Sequence, residues 1–129
     1  MNDRRLGFRV PLPLMFTSYV RDRPLRTLGT DLSDTGVGLT SVAALAPAPG
    51  TMVAVELDLP GVVDSLWIAG EICYRRGDHD GAGLASGLGL RFTAMARSHA
   101  RTLRDYCIES RRAHLGGLLA RVRASAAAA

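Results

Sequence analysis

At 129 residues the chain is long enough for one domain with a real core, and its apolar fraction of 47% is ordinary for a globular protein. The formal charge is +4, and all 16 basic residues are arginine. No run of them has the density of a nucleic-acid contact surface, and an aromatic share of 5% leaves few platforms for stacking bases. Cys73 and Cys107 form no C-x-x-C pair, so they fit reduced, partly buried thiols better than a disulfide framework. No apolar run approaches the roughly eighteen residues of a membrane span, and the arginine-rich start lacks the apolar stretch of a signal peptide. The chain reads as cytoplasmic.

Residues 1–11 show no strand alternation and are interrupted by Gly7 and Pro11, which predicts an arm that is mobile until held down. From Pro13 to Arg21 the β-formers predict a first strand. A turn is expected at Asp22-Arg23-Pro24, then a second strand from Leu25 to Leu32 and a third from Gly36 to Ser41. The Ala- and Pro-rich residues 42–50 read as a crossing loop. Thr51 to Leu59 alternates cleanly, with Val53, Val55, Leu57 and Leu59 on one face, as a half-buried strand does. Leu66 to Arg76 follows, with Trp67, Ala69, Glu71, Cys73 and Arg75 alternating against Leu66, Ile68, Ile72 and Tyr74. After a polar tip at 77–81, Leu84 to Phe92 is the sixth strand, its glycines marking bends or close backbone contact.

Beyond Ala94 the period becomes helical. Leu103, Tyr106, Cys107 and Ser110 recur on one face, with Arg97, Arg101, Arg104, Arg111 and Arg112 on others. Gly116-Gly117 can break or kink this helix, which would set apart a second apolar stripe at Leu115, Leu118, Leu119 and Val122. The terminal alanines have nothing to bury and are expected to fray. The expected fold is therefore mainly β: a small antiparallel barrel of six strands with a C-terminal α-helix. Its divisions are an arm at 1–11, barrel and helix at 12–110, and a helical extension with a frayed tail at 111–129.

Between the second and third strands lies Thr30-Asp31-Leu32-Ser33-Asp34-Thr35-Gly36-Val37-Gly38. Asp31 and Ser33 are two apart, so on an extended chain they project from one face. Asp34-Thr35-Gly36 is turn chemistry, with the glycine admitting close approach to the backbone. Taken alone this is an ordinary hairpin turn with a solvated Asp and Ser. The arm adds Arg5 and Arg9 in the spacing Arg-x-x-x-Arg, with Arg4 directly before them.

Together, Arg5-x-x-x-Arg9 and Asp31-x-Ser33-x-x-Gly36 resemble the signature of the PilZ domain, a family that binds the bacterial second messenger cyclic di-GMP. The resemblance runs over roughly residues 4–110, including Gly87-x-Gly89-x-Arg91-Phe92, similar to the family's last barrel strand. It implies a PilZ-like β-barrel and a ligand site formed by Arg4, Arg5, Arg9, Asp31, Ser33 and Gly36. Arginine suits such a ligand, since its planar fork bonds phosphate or the guanine O6/N7 edge and its flat face stacks on purines. By the same resemblance Asp31 accepts from a guanine N1/N2 edge, and Ser33 bonds near the phosphate or orients its neighbours. Gly36 permits close approach, and Arg4 stacks within an intercalated ligand pair.

No cofactor or metal is expected. Asp78-His79-Asp80 lie on alternating sides of an extended chain, and Cys73, Cys107, His99 and His114 lack ligand spacing. No nucleophile set is present, so the chain is not expected to be an enzyme. The implied role is a cyclic di-GMP receptor in second-messenger signalling, such as control of motility, whose arm closes over the ligand and alters a surface for an unidentified protein partner. The alternative is a PilZ-like adaptor that acts through protein contacts without ligand. The second apolar stripe covers core or, if exposed, serves homodimerisation or docking. An RNA-binding barrel would need aromatics on its strands, and Trp67 and Tyr74 are expected on opposite faces.

Overall fold

The computed structural model describes residues 6–41, 47–76 and 86–127; the metal-like Asp78-His79-Asp80, the polar tip and most of the 42–50 loop lie outside the described residues. Among the described residues, seven strands and one helix follow in order: β1 (Val10–Pro11), β2 (Met15–Val20), β3 (Arg23–Leu32), β4 (Gly36–Ser41), β5 (Met52–Leu57), β6 (Leu66–Arg76), β7 (Ser86–Met95) and α1 (Arg97–Ala127). All pairings are antiparallel, and the ring β3-β2-β5-β6-β7-β4 closes on itself through β3–β4. This is the six-stranded barrel with a C-terminal helix that the alternation and turn spacing predict. Closure leaves no long unpaired edge on these strands.

The inner faces supply the core. Val53, Val55 and Leu57 alternate inward from β5, and Phe16, Leu32, Val37, Leu39, Ile68, Ile72, Leu88 and Leu90 meet them. Helix α1 adds Leu103 and Cys107, both fully buried, at the barrel end where it packs against β1 and β6. Burial of a leucine-sized side chain contributes about 1.5–3 kcal/mol, so these residues hold the helix to the barrel.

Several local expectations are corrected. Val10 and Pro11 pair with Leu32 and Asp31, and Val10 and Leu12 are buried, so the part of the arm from Leu6 onward is docked on the barrel. The β2–β3 turn sits at Arg21-Asp22, both left-handed (φ 51° and 64°), and β3 begins at Arg23. Two positive φ angles are what the right-handed twist of a tight hairpin demands.

Helix α1 runs through Gly116-Gly117 without a break, 31 residues or about 46 Å long. The cost of two glycines, about 1 kcal/mol each, is spread over a long run of good helix formers. From Arg111 to Ala127 every residue is exposed, including Leu115, Leu118, Leu119 and Val122.

The most consequential correction is in β6. Its register against β7 shifts between Ile72 and Tyr74, so Cys73 is an extra, bulged residue. A bulge reverses the side-chain alternation beyond it. Tyr74 therefore emerges on the outer face, Cys73 is exposed rather than partly buried, and Trp67 and Tyr74 are both exposed. Trp67 stacks on Tyr19, with ring centroids 5.7 Å apart.

Candidate functional site

The candidate site forms where β3 hands over to β4. Strand β3 ends at Leu32, so Ser33 belongs to the turn and does not share Asp31's outward face. Ser33 is buried, and its Oγ accepts from the amides of Thr35 (3.2 Å) and Gly36 (3.1 Å). Its own amide donates to the Gly36 carbonyl at 2.9 Å. Ser33 thus shapes the turn by bonding its neighbours, as serine does in side-chain-closed turns. Gly36 is needed for a backbone reason: a Cβ there would lie 2.5 Å from the Leu90 carbonyl oxygen.

Asp31 stays on the outer surface. Its Oδ1 accepts from Arg9 Nε at 2.9 Å, from Arg9 Nη2 at 2.8 Å and from the Gly38 amide at 3.2 Å. A Cβ on Gly38 would come within 2.5 Å of that same oxygen, so the bare backbone lets the carboxylate lie across β4. The ion pair is open to solvent, with side chains 45% and 43% exposed, and such pairs contribute only about 0–1 kcal/mol. Arg9 is held in place yet cheaply released. Arg9 also separates two open cavities. One, of about 430 Å³, is lined with Thr30, Asp31, Thr40 and Tyr74; the other, about 200 Å³, with Thr35, Gly36, Tyr74 and Arg91.

Of the six residues expected in the site, the structure brings Arg9 and Asp31 into contact and puts Ser33 and Gly36 in the adjoining turn. Arg4 and Arg5 lie outside the described residues. Sequence reasoning missed Asp34. Its carboxylate accepts from the Leu6 amide at 3.2 Å and pairs with Arg104 of α1 at 3.5 Å, its side chain only 15% exposed. Arg111 of the same helix lies over the Phe8 ring, 5.1 Å from its centroid. The arm is thereby tied to the motif turn and to α1 at once. Nothing local in the sequence pairs Asp34 with Arg104, seventy residues away. Beneath them, the Cys107 thiol is pushed up to about 11, chiefly by burial and next by the Asp34 charge, with Arg9 opposing; burial likewise raises Tyr106. No cluster among the described residues could hold a metal ion.

Residues 3–109 match the PilZ domain family. The chain belongs to that family. Among solved structures, the PilZ domain of YcgR from Escherichia coli, with cyclic di-GMP, is similar at 20% identity with a TM-score of 0.62, covering 92% of this chain and 98% of that one. YcgR from E. coli in complex with cyclic di-GMP is 19% identical, with a TM-score of 0.63 and coverage of 92% and 50%. The Bacillus subtilis inhibitor of motility MotI/DgrA is 16% identical, with a TM-score of 0.64 and coverage of 85% and 52%. This chain thus spans about half the length of MotI/DgrA and of the longer YcgR chain. No curated protein matches it. Among the described residues, no helix of this PilZ domain is long and apolar enough to cross a membrane.

Proposed function

We propose that this PilZ domain is a cytoplasmic cyclic di-GMP receptor, a binding module rather than an enzyme, acting in bacterial second-messenger signalling such as motility control. The observation that carries the reading is the solvent-open Arg9–Asp31 pair between two cavities on the barrel's outer face. These are the two residue types the ligand needs: a fork for phosphate or the guanine Hoogsteen edge, and a carboxylate for guanine N1/N2. In the free protein they neutralise each other. Ligand replaces one exposed ion pair, worth about 0–1 kcal/mol, with charge-assisted bonds of about 1.5–3 kcal/mol each. Three or four such bonds, less the cost of drawing the arm onto the ligand, reach a micromolar dissociation constant, about −8 kcal/mol.

Arg5 grips a second part of the same ligand, and Arg4 stacks when two ligand molecules bind as an intercalated pair. Since the arm is bonded to Asp34 and packed under Arg111, drawing it onto ligand alters its contacts with α1. Titration calorimetry with cyclic di-GMP, with cyclic di-AMP and GTP as controls, tests the reading. Saturable binding of one or two ligands per chain, lost in Arg5→Ala/Arg9→Ala, is expected. A folded wild-type protein that takes up no ligand overturns it.

One observation favours a protein-contact role beside ligand binding. Leu115, Leu118, Leu119 and Val122 form a stripe at helical spacing that the barrel leaves exposed, at least 39% each. We assign this stripe to contact with a protein, either a downstream partner or a second copy of the chain. Sedimentation across a concentration series separates the two: self-association that Leu118→Glu/Val122→Glu abolishes marks a homodimer. A monomer at every concentration leaves the partner role. A ligand-independent adaptor would keep this contact and lack any cyclic di-GMP titration.

A further inference from the structure

The register of the barrel puts four residues in one lateral row across its outer face. Asp31 of β3 pairs with Gly38 of β4, Gly38 with Gly89 of β7, and Gly89 with Tyr74 of β6. With neighbouring strands about 4.8 Å apart, the row is about 14 Å from end to end. Its two inner positions are bare backbone, and each outer side chain leans over its glycine. The Asp31 carboxylate lies over Gly38, and the Tyr74 ring occupies the space where a Cβ on Gly89 would stand. The leaning groups are thus separated by about one strand spacing. The same tyrosine lines both cavities that flank Arg9, and it is 44% exposed.

Tyr74 is on this face because of the Cys73 bulge; without it, the alternation of β6 would turn the ring into the barrel. A large ring held across bare backbone, half open to solvent and one strand from a carboxylate, has the form of a stacking platform. A base stacked on its outward face would have its hydrogen-bonding edge at the height of Asp31. We infer that Tyr74 is a further binding residue of this site: it stacks a purine base of the ligand whose N1/N2 edge is taken by Asp31, with Gly38 and Gly89 as the floor. The inference rests on the cyclic di-GMP reading above.

The requirement is for a flat π face, and a stacked base is worth enough for its loss to be measured. Tyr74→Phe keeps the face, and Tyr74→Leu keeps most of the apolar bulk without it. Calorimetry with cyclic di-GMP is expected to give affinity within about threefold of wild type for Tyr74→Phe and a loss of about tenfold or more for Tyr74→Leu and Tyr74→Ala. Circular dichroism melts of each variant show that the barrel is intact. As a readout that a merely structural role would not move, the Tyr74 ring protons are followed by NMR in the folded wild-type protein. A stacked purine shifts them upfield on titration. If wild type binds cyclic di-GMP while Tyr74→Leu binds equally well, or the ring resonances stay in place, the platform is overturned and the receptor reading survives. If wild type does not bind, the receptor reading itself fails.

Discussion

Two carboxylates three residues apart, Asp31 and Asp34, each sit beside an arginine, yet one is open to solvent and the other largely covered. Asp31 is open to water, holds Arg9 loosely and looks onto two cavities. Asp34 is largely covered, takes the Leu6 amide as well as Arg104, and lies against the α1 contact that buries Leu103 and Cys107. Asp31 is still on the strand, whereas Asp34 lies in the sharp turn that Ser33 closes. The difference separates the cost of exposure from its use. An exposed ion pair contributes little to stability and is available for exchange, whereas a covered acceptor with two donors fixes structure.

The comparison makes separable demands on stability and binding. The largest effect belongs to the covered side: Leu103→Ala should lower unfolding free energy by about 2–5 kcal/mol through lost burial and an unfilled cavity. Urea denaturation measures this. A much smaller change would mean that α1 is not held through this contact. Next comes the open side, where Arg9→Ala should weaken cyclic di-GMP binding by about 10- to 100-fold, or about 1.4–2.8 kcal/mol. Its effect on unfolding should stay within about 1 kcal/mol. A melt lowered as far as that of Leu103→Ala would erase the distinction between the two sides.

Asp34→Ala sharpens the same contrast. It removes the acceptor of the Leu6 amide and the partner of Arg104, which should cost about 1–2 kcal/mol of stability. Amide exchange at Leu6 should accelerate while direct ligand contacts persist; unchanged protection at Leu6 would break the latch. The smallest effect is one of pH. Cys107 has its folded pKa raised from 9.0 to about 11. Between those values the unfolded chain gives up the thiol proton first and the native state retains it. That contribution to stability is complete below about pH 9 and declines as pH rises toward 11. Cys107→Ala should flatten this alkaline slope. The thiols report on exposure as well: Cys73 should react rapidly with a thiol reagent at pH 8 and Cys107 only on unfolding.

How much of this was legible in the chain depends on the range of the interaction. Strand alternation is local, so Val53, Val55 and Leu57 of β5, and the six-strand count, could be read directly from spacing. The motif positions of Arg9, Asp31, Ser33 and Gly36 were legible too, because the family signature is a matter of residue type and distance along the chain. Their division of labour was not. A two-residue period sets Ser33 beside Asp31 only while the strand continues, and the strand stops at Leu32. Gly116-Gly117 misled in the other direction, since a propensity cost of about 1 kcal/mol per glycine does not end a helix this long.

What the sequence determined by itself is the material of the protein: alternating apolar faces that must close around a core, an arginine arm, and a turn rich in Asp, Ser and Gly. Periodicity and residue chemistry act over a few residues, and they suffice for that much. The tertiary structure alone decided which groups meet. The bulge at Cys73 inverted Tyr74, and barrel closure aligned it with Asp31 across two glycines. The folding back of α1 brought Arg104 to Asp34, and the docking of β1 set Arg9 on Asp31. Each of these contacts joins residues twenty or more positions apart or depends on a single inserted residue in a strand. Such contacts are set by register and packing, which a local reading of the chain does not contain.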